Sequence, residues 1–495
     1  MRLREYLLLA AFIAVFLLTR LPGLKNDIVN TDAPLWHERS EAFVTALKTG
    51  DFSRTYQKYH PGVTLMWLSG GAFEATRFLA DGSLDIIRKF YNFEIYHYSA
   101  KLFVVFAQLT LSLAAVYFLS RILDFKKALL IMSLLSLEPF FVANSRLLHL
   151  DSLFTLFLFN GLLLAFLMFK EFSVWRALFA GFFLAGAFLT KSVGALAPAF
   201  VVLFGLFFAY RGNFRLALKN LGIFSAAFFL FVFAFFPALW AAPVETLSAM
   251  IPQSREVAFE KGHSQLFFGE ETDNPGPLFY PFVLLLRLSP VFLLAPVIFY
   301  LGKNQERTSL KSFLAFLGSF YLIYLIFMVL APKKIDRYML PIFPLFAIWA
   351  GLVIPQIWKK SAALLVVALL AFQFFPLLSL YPHYFAYTSP LVLSAENANK
   401  IIGHKSFGTG VFELRDRLAE RYPHQLVASS DVGPLKEIYG SFRTFEIEQT
   451  NPKYYELLIL GPNVEMPQIV GVTGRVFKQV DSVEIAGIEF WRIFR

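Results

Sequence analysis

The chain has no cysteine in 495 residues, which excludes a disulfide framework and thiol chemistry while leaving the redox compartment open. Charge is also scarce: 16% of residues are Asp, Glu, Lys or Arg, against roughly a quarter in soluble domains. No repeat of fixed period and no low-complexity tract is present, and no inverted repeat is evident, which disfavours a transporter. What fills the chain instead is apolar: 57% hydrophobic residues, 18% aromatic, and 60 Phe. No soluble core needs that much apolar surface, and lipid is the simplest solvent for it. The net charge of +10 does not indicate nucleic acid, because many Lys and Arg stand in short clusters between apolar runs, as membrane flanks do.

Apolar runs lie near 5–21, 101–120, 128–145, 152–169, 176–190, 193–210, 220–241, 279–301, 312–331, 339–357 and 361–380. Many approach the length of about 20 residues that crosses the hydrocarbon as a helix. The first run follows Arg2 and Arg4 and is followed by Thr19-Arg20-Leu21-Pro22. No small-residue cleavage site appears there, so it reads as a retained span rather than a signal peptide. The runs at 176–190 and 193–210 are separated only by Lys191 and Ser192 and read as two spans. With Arg2 and Arg4 inside, the later inside connections carry Arg121, Lys126 and Lys127; Lys170 and Arg176; Arg211, Arg215 and Lys219; Lys303, Arg307 and Lys311; and Lys359 and Lys360. Every inside connection is basic, as the positive-inside rule requires.

The expected fold is therefore an α-helical polytopic membrane protein with about 11 transmembrane helices. The helical part covers 1–381, with a long first extracytoplasmic loop at 22–98 and a second large loop at 242–278. Residues 382–495 have soluble composition, with strand-like runs at Glu456 to Leu460 and Val483 to Ile488 and a helical run at Val411 to Tyr422. They read as a small extracytoplasmic α/β domain, whose role the sequence leaves open. Outside means the periplasm or cell exterior in a bacterium or archaeon, the protein then lying in the plasma membrane, and otherwise an organelle lumen.

Ionisable residues at the outer membrane edge are the chemical candidates. RLLHLDSLFTLF, residues 146–157, places Arg146, His149 and Asp151 where a helix meets the surface. Interfacial anchoring or a structural ion pair accounts for them as well as function does. Lys191 in LTKSVG is a lone cation between two spans, suited to snorkelling or to holding an anion. PKKIDRYMLPIFP, residues 332–344, gathers Lys333, Lys334 and Arg337 in a short outside loop. Such loops normally avoid basic clusters, and an anion such as a lipid phosphate is the physical reason to keep one. Glu138 and Arg287 sit inside apolar runs and must face the bundle or snorkel. The first loop supplies Asp32, His37 and Glu38 in NTDAPLWHERS and His60 in YHPGVTLMWL. Alone, Asp32 is a loop Asp of the kind that caps a helix.

An outside carboxylate beside an outside phosphate site suits glycosyl transfer from a polyprenyl-phosphate sugar. The leaving phosphate is an anion that Lys and Arg stabilise. The acceptor hydroxyl needs a base, a role open to Asp32. One in-line displacement would invert the anomeric carbon. A transporter or flippase of lipid-linked substrates is the main alternative, but it should hold its key charges near the bilayer midplane. A non-catalytic sugar-binding scaffold is a third.

The chain resembles the GT-C superfamily of membrane glycosyltransferases, most closely the branch of protein O-mannosyltransferases and the lipid A aminoarabinose transferase. The resemblance rests on Asp32 in NTDAPLWHERS followed by HPGVTLMWL, on RLLHLD before a span, and on KKIDRYMLPIFP. YPHYFAYTSPLV at 381–392 and FGTGVFELRDRL at 407–418 also resemble bacterial members. It implies Asp32 as catalytic base and Asp151 as the family's loop Asp. His149, His60 and Glu38 then fall to acceptor or active-site support. It further implies that Lys333, Lys334, Arg337 and Tyr338 contact donor phosphate, together with Lys191 and Arg146. Family members commonly have Glu directly after the first-loop Asp, where this chain has Ala33, and Glu38 is not at the matched position. The oligosaccharyltransferase branch shows a paired-Trp-Asp signature, and no two Trp adjoin here. The expected partners are membrane lipid, the lipid-linked sugar donor and a protein, lipid or glycan acceptor, with no nucleic acid. A divalent metal at Asp32, Glu38 or the neighbouring His residues is compatible with the chain, but no spacing demands one.

Overall fold

The computed structural model describes residues 3–79, 93–260, 262–301, 310–359, 363–391, 394–447, 454–465 and 476–495. Of the residues named above, Arg2, Lys303, Arg307, Lys360 and Val392 lie outside these.

Each apolar run coincides with a helix or a bent pair of helices. The order begins α1 (Leu3–Arg20), α2 (Ala33–Thr49), α3 (Val63–Leu79), α4 (Phe93–Leu119), α5 (Phe125–Ser136), α6 (Pro139–Ser145), α7 (Asp151–Lys170), α8 (Val174–Thr190), α9 (Leu196–Phe208) and α10 (Phe214–Phe235). It continues with α11 (Pro243–Phe259), α12 (Phe279–Arg287), α13 (Pro290–Leu301), α14 (Lys311–Leu330), α15 (Phe343–Lys359) and α16 (Ala363–Ser379). Among the described residues, six helices are long and apolar enough to cross a membrane, or eight if each bent pair is one span. The protein is an integral membrane protein.

The two bent spans have local causes. Pro139 has no N–H to donate, so α5 ends and α6 restarts at a bend of 71°. Pro290 does the same between α12 and α13, at 108°. The breaks meet: the Ser289 N–H and hydroxyl donate to the two Glu138 carboxyl oxygens at 2.7 and 2.5 Å. A backbone group freed inside the bundle thus finds a side-chain partner. Glu138 is a structural joint, buried with Ser289.

Helix α7 is the central strut, with 94% of its apolar window buried. Glycines let α8 approach it closely. A Cβ on Gly161 would lie 2.3 Å from Leu184, and one on Gly186 would lie 2.5 Å from Phe157. The chain breaks at Lys191, whose backbone is extended (φ −149°, ψ 131°), before a 3-10 turn at Ser192–Ala195 leads into α9. Runs 176–190 and 193–210 are thus separate helices.

The C-terminal part contributes α17 (Ala395–Ile401), α18 (Val411–Arg421), α19 (Val432–Tyr439) and a five-stranded sheet. A two-stranded hairpin, β1 (Gln265–Phe267) and β2 (Glu270–Thr272), lies in the earlier loop. The sheet contains β3 (Val427–Ser429), β4 (Thr444–Glu446), β5 (Leu457–Leu460), β6 (Gln479–Ile485) and β7 (Ile488–Phe494), in the order β4-β3-β5-β7-β6. Strand β3 runs parallel to β4 and β5, while β7 is antiparallel to β5 and β6. The run Val483 to Ile488 is not one strand. Ala486 and Gly487 take φ of 54° and 79°, so the chain reverses between β6 and β7 in a two-residue turn.

Candidate active site

The chain between α1 and α2 is held at almost every residue. Asp27 accepts from Arg146 Nε at 2.8 Å and pairs with Lys101. The Arg146 guanidinium also donates to the carbonyls of Thr19, Arg20 and Pro22 at 3.1, 2.9 and 2.8 Å. Arg146 is therefore buried and fully engaged in tying α1 to the first loop, and it does not line the large cavity. Its expected place beside a donor phosphate is corrected on that ground. Asn30 donates to the Leu148 carbonyl at 3.4 Å. Asp32 then stands at the N-cap position of α2 without a side-chain capping bond, which leaves its carboxylate to other partners, and Pro34 lies in the first turn.

Asp32, His149, Asp151, Lys191 and Arg337 converge from four separate stretches of chain, His149 and Asp151 sharing one. Asp32 Oδ2 lies 3.1 Å from His149 Nε2 and accepts from Arg337 Nη2 at 3.2 Å. His149 Nδ1 stands 3.0 Å from Asp151 Oδ2, and Arg337 Nε stands 3.1 Å from the same oxygen. Lys191 Nζ donates to Asp151 Oδ1 at 2.6 Å and sits 3.7 Å above the centre of the Tyr338 ring. Burial alone would raise the Asp32 carboxyl, but the His149 hydrogen bond and the His149 and Arg337 charges outweigh it. Asp32 is held well below the usual carboxylate range, and it is ionised at neutral pH. Helix ends supply this geometry: Asp151 opens α7, Lys191 follows α8, and Arg337 lies in the 3-10 turn Asp336–Ile342 that leads into α15.

This cluster borders a cavity of about 690 Å³, within the range of small-molecule sites. Its wall draws on the first loop (among them Thr31, Asp32, Arg39 and His60), His149 and Lys191 at helix ends, the segment His263–Leu266, Lys333 and Ile335–Tyr338, and C-terminal residues including Ile402–Phe407, Asp431 and Gly461–Val464. Seven Lys and Arg side chains line it against four Asp and Glu. The excess is positive, as an anionic ligand requires. His60 lines it too, 3.2 Å from the Ser192 hydroxyl. Burial, with Lys191 and Lys333 nearby, pushes its imidazole well below the ordinary value, so it is neutral.

Lys333 and Lys334 part company. Lys333 lines the cavity. Lys334 is buried and donates to the Val329 and Ala331 carbonyls at 2.9 and 2.5 Å. It caps the carbonyl end of α14 and is no phosphate ligand in this arrangement. Glu38 is likewise off the cavity. Helix α2 presents Leu35 and Arg39, one turn apart, to the wall, and Glu38 is exposed beside that stripe. Arg287 reaches the wall as part of a structural pair with Asp336 at 3.2 Å and donates to the Tyr387 carbonyl at 2.8 Å.

Several wall residues carried no signal in the sequence: Arg39, His263, Lys405 and Asp431. His263 is pushed down to about 4, first by burial and then by Lys405 3.3 Å away. Among the described residues no group of three or more His, Asp or Glu is placed to hold a metal ion. The Asp32 and Asp151 oxygens already face Arg337, His149 and Lys191. That donor set does not fit a divalent ion.

Residues 62–251 match the family model described as dolichyl-phosphate-mannose-protein mannosyltransferase. No curated protein matches the chain. Among solved structures, it is similar to ArnT from Cupriavidus metallidurans bound to undecaprenyl phosphate, at 13% identity over 98% of this chain and 97% of that one, with a TM-score of 0.55. It is more distantly similar to the oligosaccharyltransferase AglB from Archaeoglobus fulgidus in complex with an inhibitory peptide and a dolichol-phosphate, at 12% identity, 95% and 71% coverage and a TM-score of 0.46. From end to end the chain has the GT-C fold, and it resembles the branch of protein O-mannosyltransferases and ArnT.

Proposed function

We propose that the protein is an inverting glycosyltransferase that moves a sugar from a polyprenyl-phosphate donor to a protein, lipid or glycan acceptor on the extracytoplasmic side of the membrane. One observation carries this reading. An ionised carboxylate, Asp32, faces a cation-rich cavity at the ends of apolar helices, where a lipid-borne phosphate and a polar acceptor can meet. The undecaprenyl phosphate bound to ArnT supports a lipid phosphate as the ligand.

In this mechanism the donor phosphate enters among Lys333, Arg337 and Lys191, and its lipid lies along the helices. The acceptor hydroxyl oxygen forms a bond to the anomeric carbon on the face opposite the phosphate. The bond from that carbon to the phosphate oxygen breaks, and its electron pair leaves with the phosphate. The hydroxyl proton passes to Asp32. A carboxylate held so low is a weak base, so the proton moves late, once bond formation has made the hydroxyl acidic. Phosphate that draws Arg337 away from Asp32 also removes part of the field that holds its basicity down. His149 keeps Asp32 oriented, and Asp151 keeps His149, Lys191 and Arg337 in place. The charged cluster sits at helix ends rather than mid-span, which supports an enzyme over a transporter.

The test is release of polyprenyl phosphate from a panel of polyprenyl-phosphate sugars by the protein in lipid, with acceptors supplied. Wild type should release it. Asp32→Asn should bind donor without turnover, and Lys333→Ala/Arg337→Ala should lose donor binding. Silence of wild type across a broad panel would favour transport, and a lipid-flip assay would follow.

A further inference from the structure

The chain leading into Asp32 is gripped by residues about 400 positions later. Ile28 forms an isolated antiparallel bridge with Thr409. Val29 lies so close to Gly408 that a Cβ there would come 1.8 Å from the Val29 carbonyl oxygen, and Gly408 has φ of 76°. Only glycine allows this approach. The Thr31 hydroxyl, on the residue before Asp32, lies 3.0 and 3.1 Å from the two carboxyl oxygens of Asp431. Asp431 is itself buried just after β3. It accepts from the Ser406 hydroxyl at 2.6 Å and the Gly408 N–H at 3.3 Å. One carboxylate therefore gathers the Gly408 turn, the Ser406 loop and Thr31 at a single point on the cavity wall.

We propose that Asp431 is a positioning residue for Asp32: through Thr31 it makes the C-terminal sheet region a working part of the active site rather than a cap on the bundle. This rests on the transferase reading for its effect on rate, but the grip itself does not. On the other side, Arg146 and Lys101 hold Asp27, and His97 stands 3.2 Å from the Ile28 carbonyl. Those contacts hold the start of the loop. Thr31–Asp431 holds its end, where α2 begins and where the Ala33 N–H bonds the Asn30 carbonyl at 2.7 Å. Without that link the base can shift by a fraction of an ångström, while the donor-side cations, anchored on α8 and the turn before α15, stay in place.

The experiment uses the full chain in lipid with two readouts. Thr31→Val removes the hydroxyl at nearly constant shape, and Thr31→Ser keeps it. With a donor that wild type turns over, Thr31→Val should lower kcat about tenfold or more and leave donor KM within about twofold. Thr31→Ser should stay within about twofold of wild type. Asp431→Ala should lower kcat similarly, and the double variant Thr31→Val/Asp431→Ala should be no slower than Asp431→Ala alone. The second readout is backbone hydrogen exchange, which needs no turnover. Amides of residues 28–36 should exchange about tenfold faster in Thr31→Val but not in Thr31→Ser, with those of α7 and α8 unchanged. Unaltered exchange and kcat in Thr31→Val, or losses that multiply in the double variant, would overturn the proposal. If wild type releases no polyprenyl phosphate, the transferase reading fails, and exchange alone still decides whether the grip exists.

Discussion

Two ion clusters in this protein draw on the same two stretches of chain: Asp27 with Arg146 in the first, and, five residues further on, Asp32 with Asp151 in the second, where His149 joins them. The first is closed. Its carboxylate meets two cations, its guanidinium reaches three carbonyls, and the void beside it is about 10 Å³, room for a single water at most. The second opens onto about 690 Å³. In the first, the charged groups are spent on one another and on backbone carbonyls, and the result is a rivet. In the second, a half-exposed carboxylate and an excess of cations face empty space, which is what binding and chemistry need. Burial and pairing alone do not mark a site; an unfilled volume beside the pair does.

The comparison breaks most visibly through paired substitutions. Asp32→Asn should reduce turnover by about 10²–10⁴-fold and lower the thermal midpoint only modestly, because His149 and Arg337 keep Asp151 as a partner. Asp27→Asn should do the reverse. It strands Arg146 and Lys101 and costs about 3–5 kcal/mol of stability, with activity per folded molecule preserved. Side-by-side melting and turnover measurements check this, and a stable but inactive Asp27→Asn would erase the distinction.

The cations give the next contrast. Arg337→Ala should weaken donor binding by about 2–5 kcal/mol, read by titration with a polyprenyl phosphate. Arg146→Ala should leave the affinity of the folded fraction within about twofold, because Arg146 never reaches the cavity. A large affinity loss in Arg146→Ala would place the phosphate elsewhere.

Adjacent lysines sharpen it further. Lys333→Ala should lower donor affinity about tenfold. Lys334→Ala should leave affinity intact and cost about 1–3 kcal/mol of stability through two uncapped carbonyls. Equal effects on binding would show that Lys334 leaves its cap when donor arrives.

The smallest effect concerns pH. His263 is held near 4 in the fold against about 6.5 in an unfolded chain. Below about 6.5 the unfolded chain binds this proton first, so stability falls as pH drops toward about 4 and levels off beneath it. His263→Gln should flatten that slope in melts taken across the interval. Asp32 is shifted in the same direction over a more acidic interval: its depressed carboxyl contributes stability at all pH above its unfolded value near 3.9 and loses it only as pH falls below that. An acid limb of turnover between 6.5 and 4 therefore belongs to another group, and an Asp32→Glu variant that shifted that limb would contradict the assignment.

The helices were legible because lipid imposes a long apolar run on every span, and the two sharp bends fall at Pro139 and Pro290, both visible as residues. His149, Asp151, Lys191 and Arg337 were legible as candidates because each is an ionisable residue at a membrane edge where apolar residues are cheaper, whereas Asp32, a loop Asp, stood out only in combination with them. Arg146 and Lys334 satisfied the same criterion and do other work. A charge in a short loop can face a cavity or turn back onto carbonyls, and one rotation about the backbone decides which. Val483 to Ile488 misled for a similar reason, since β-rich composition continued through a turn that needs only two residues of positive φ.

By itself the sequence determined the solvent, the helices and the inventory of charges, because hydrophobic periodicity and run length are properties of neighbours along the chain. Tertiary structure alone decided which charges neutralise each other and which line an open volume. It also brought Asp431, four hundred residues away, to the residue before Asp32. Those outcomes depend on which chain segments meet, and long-range contacts leave no spacing in a single sequence to read.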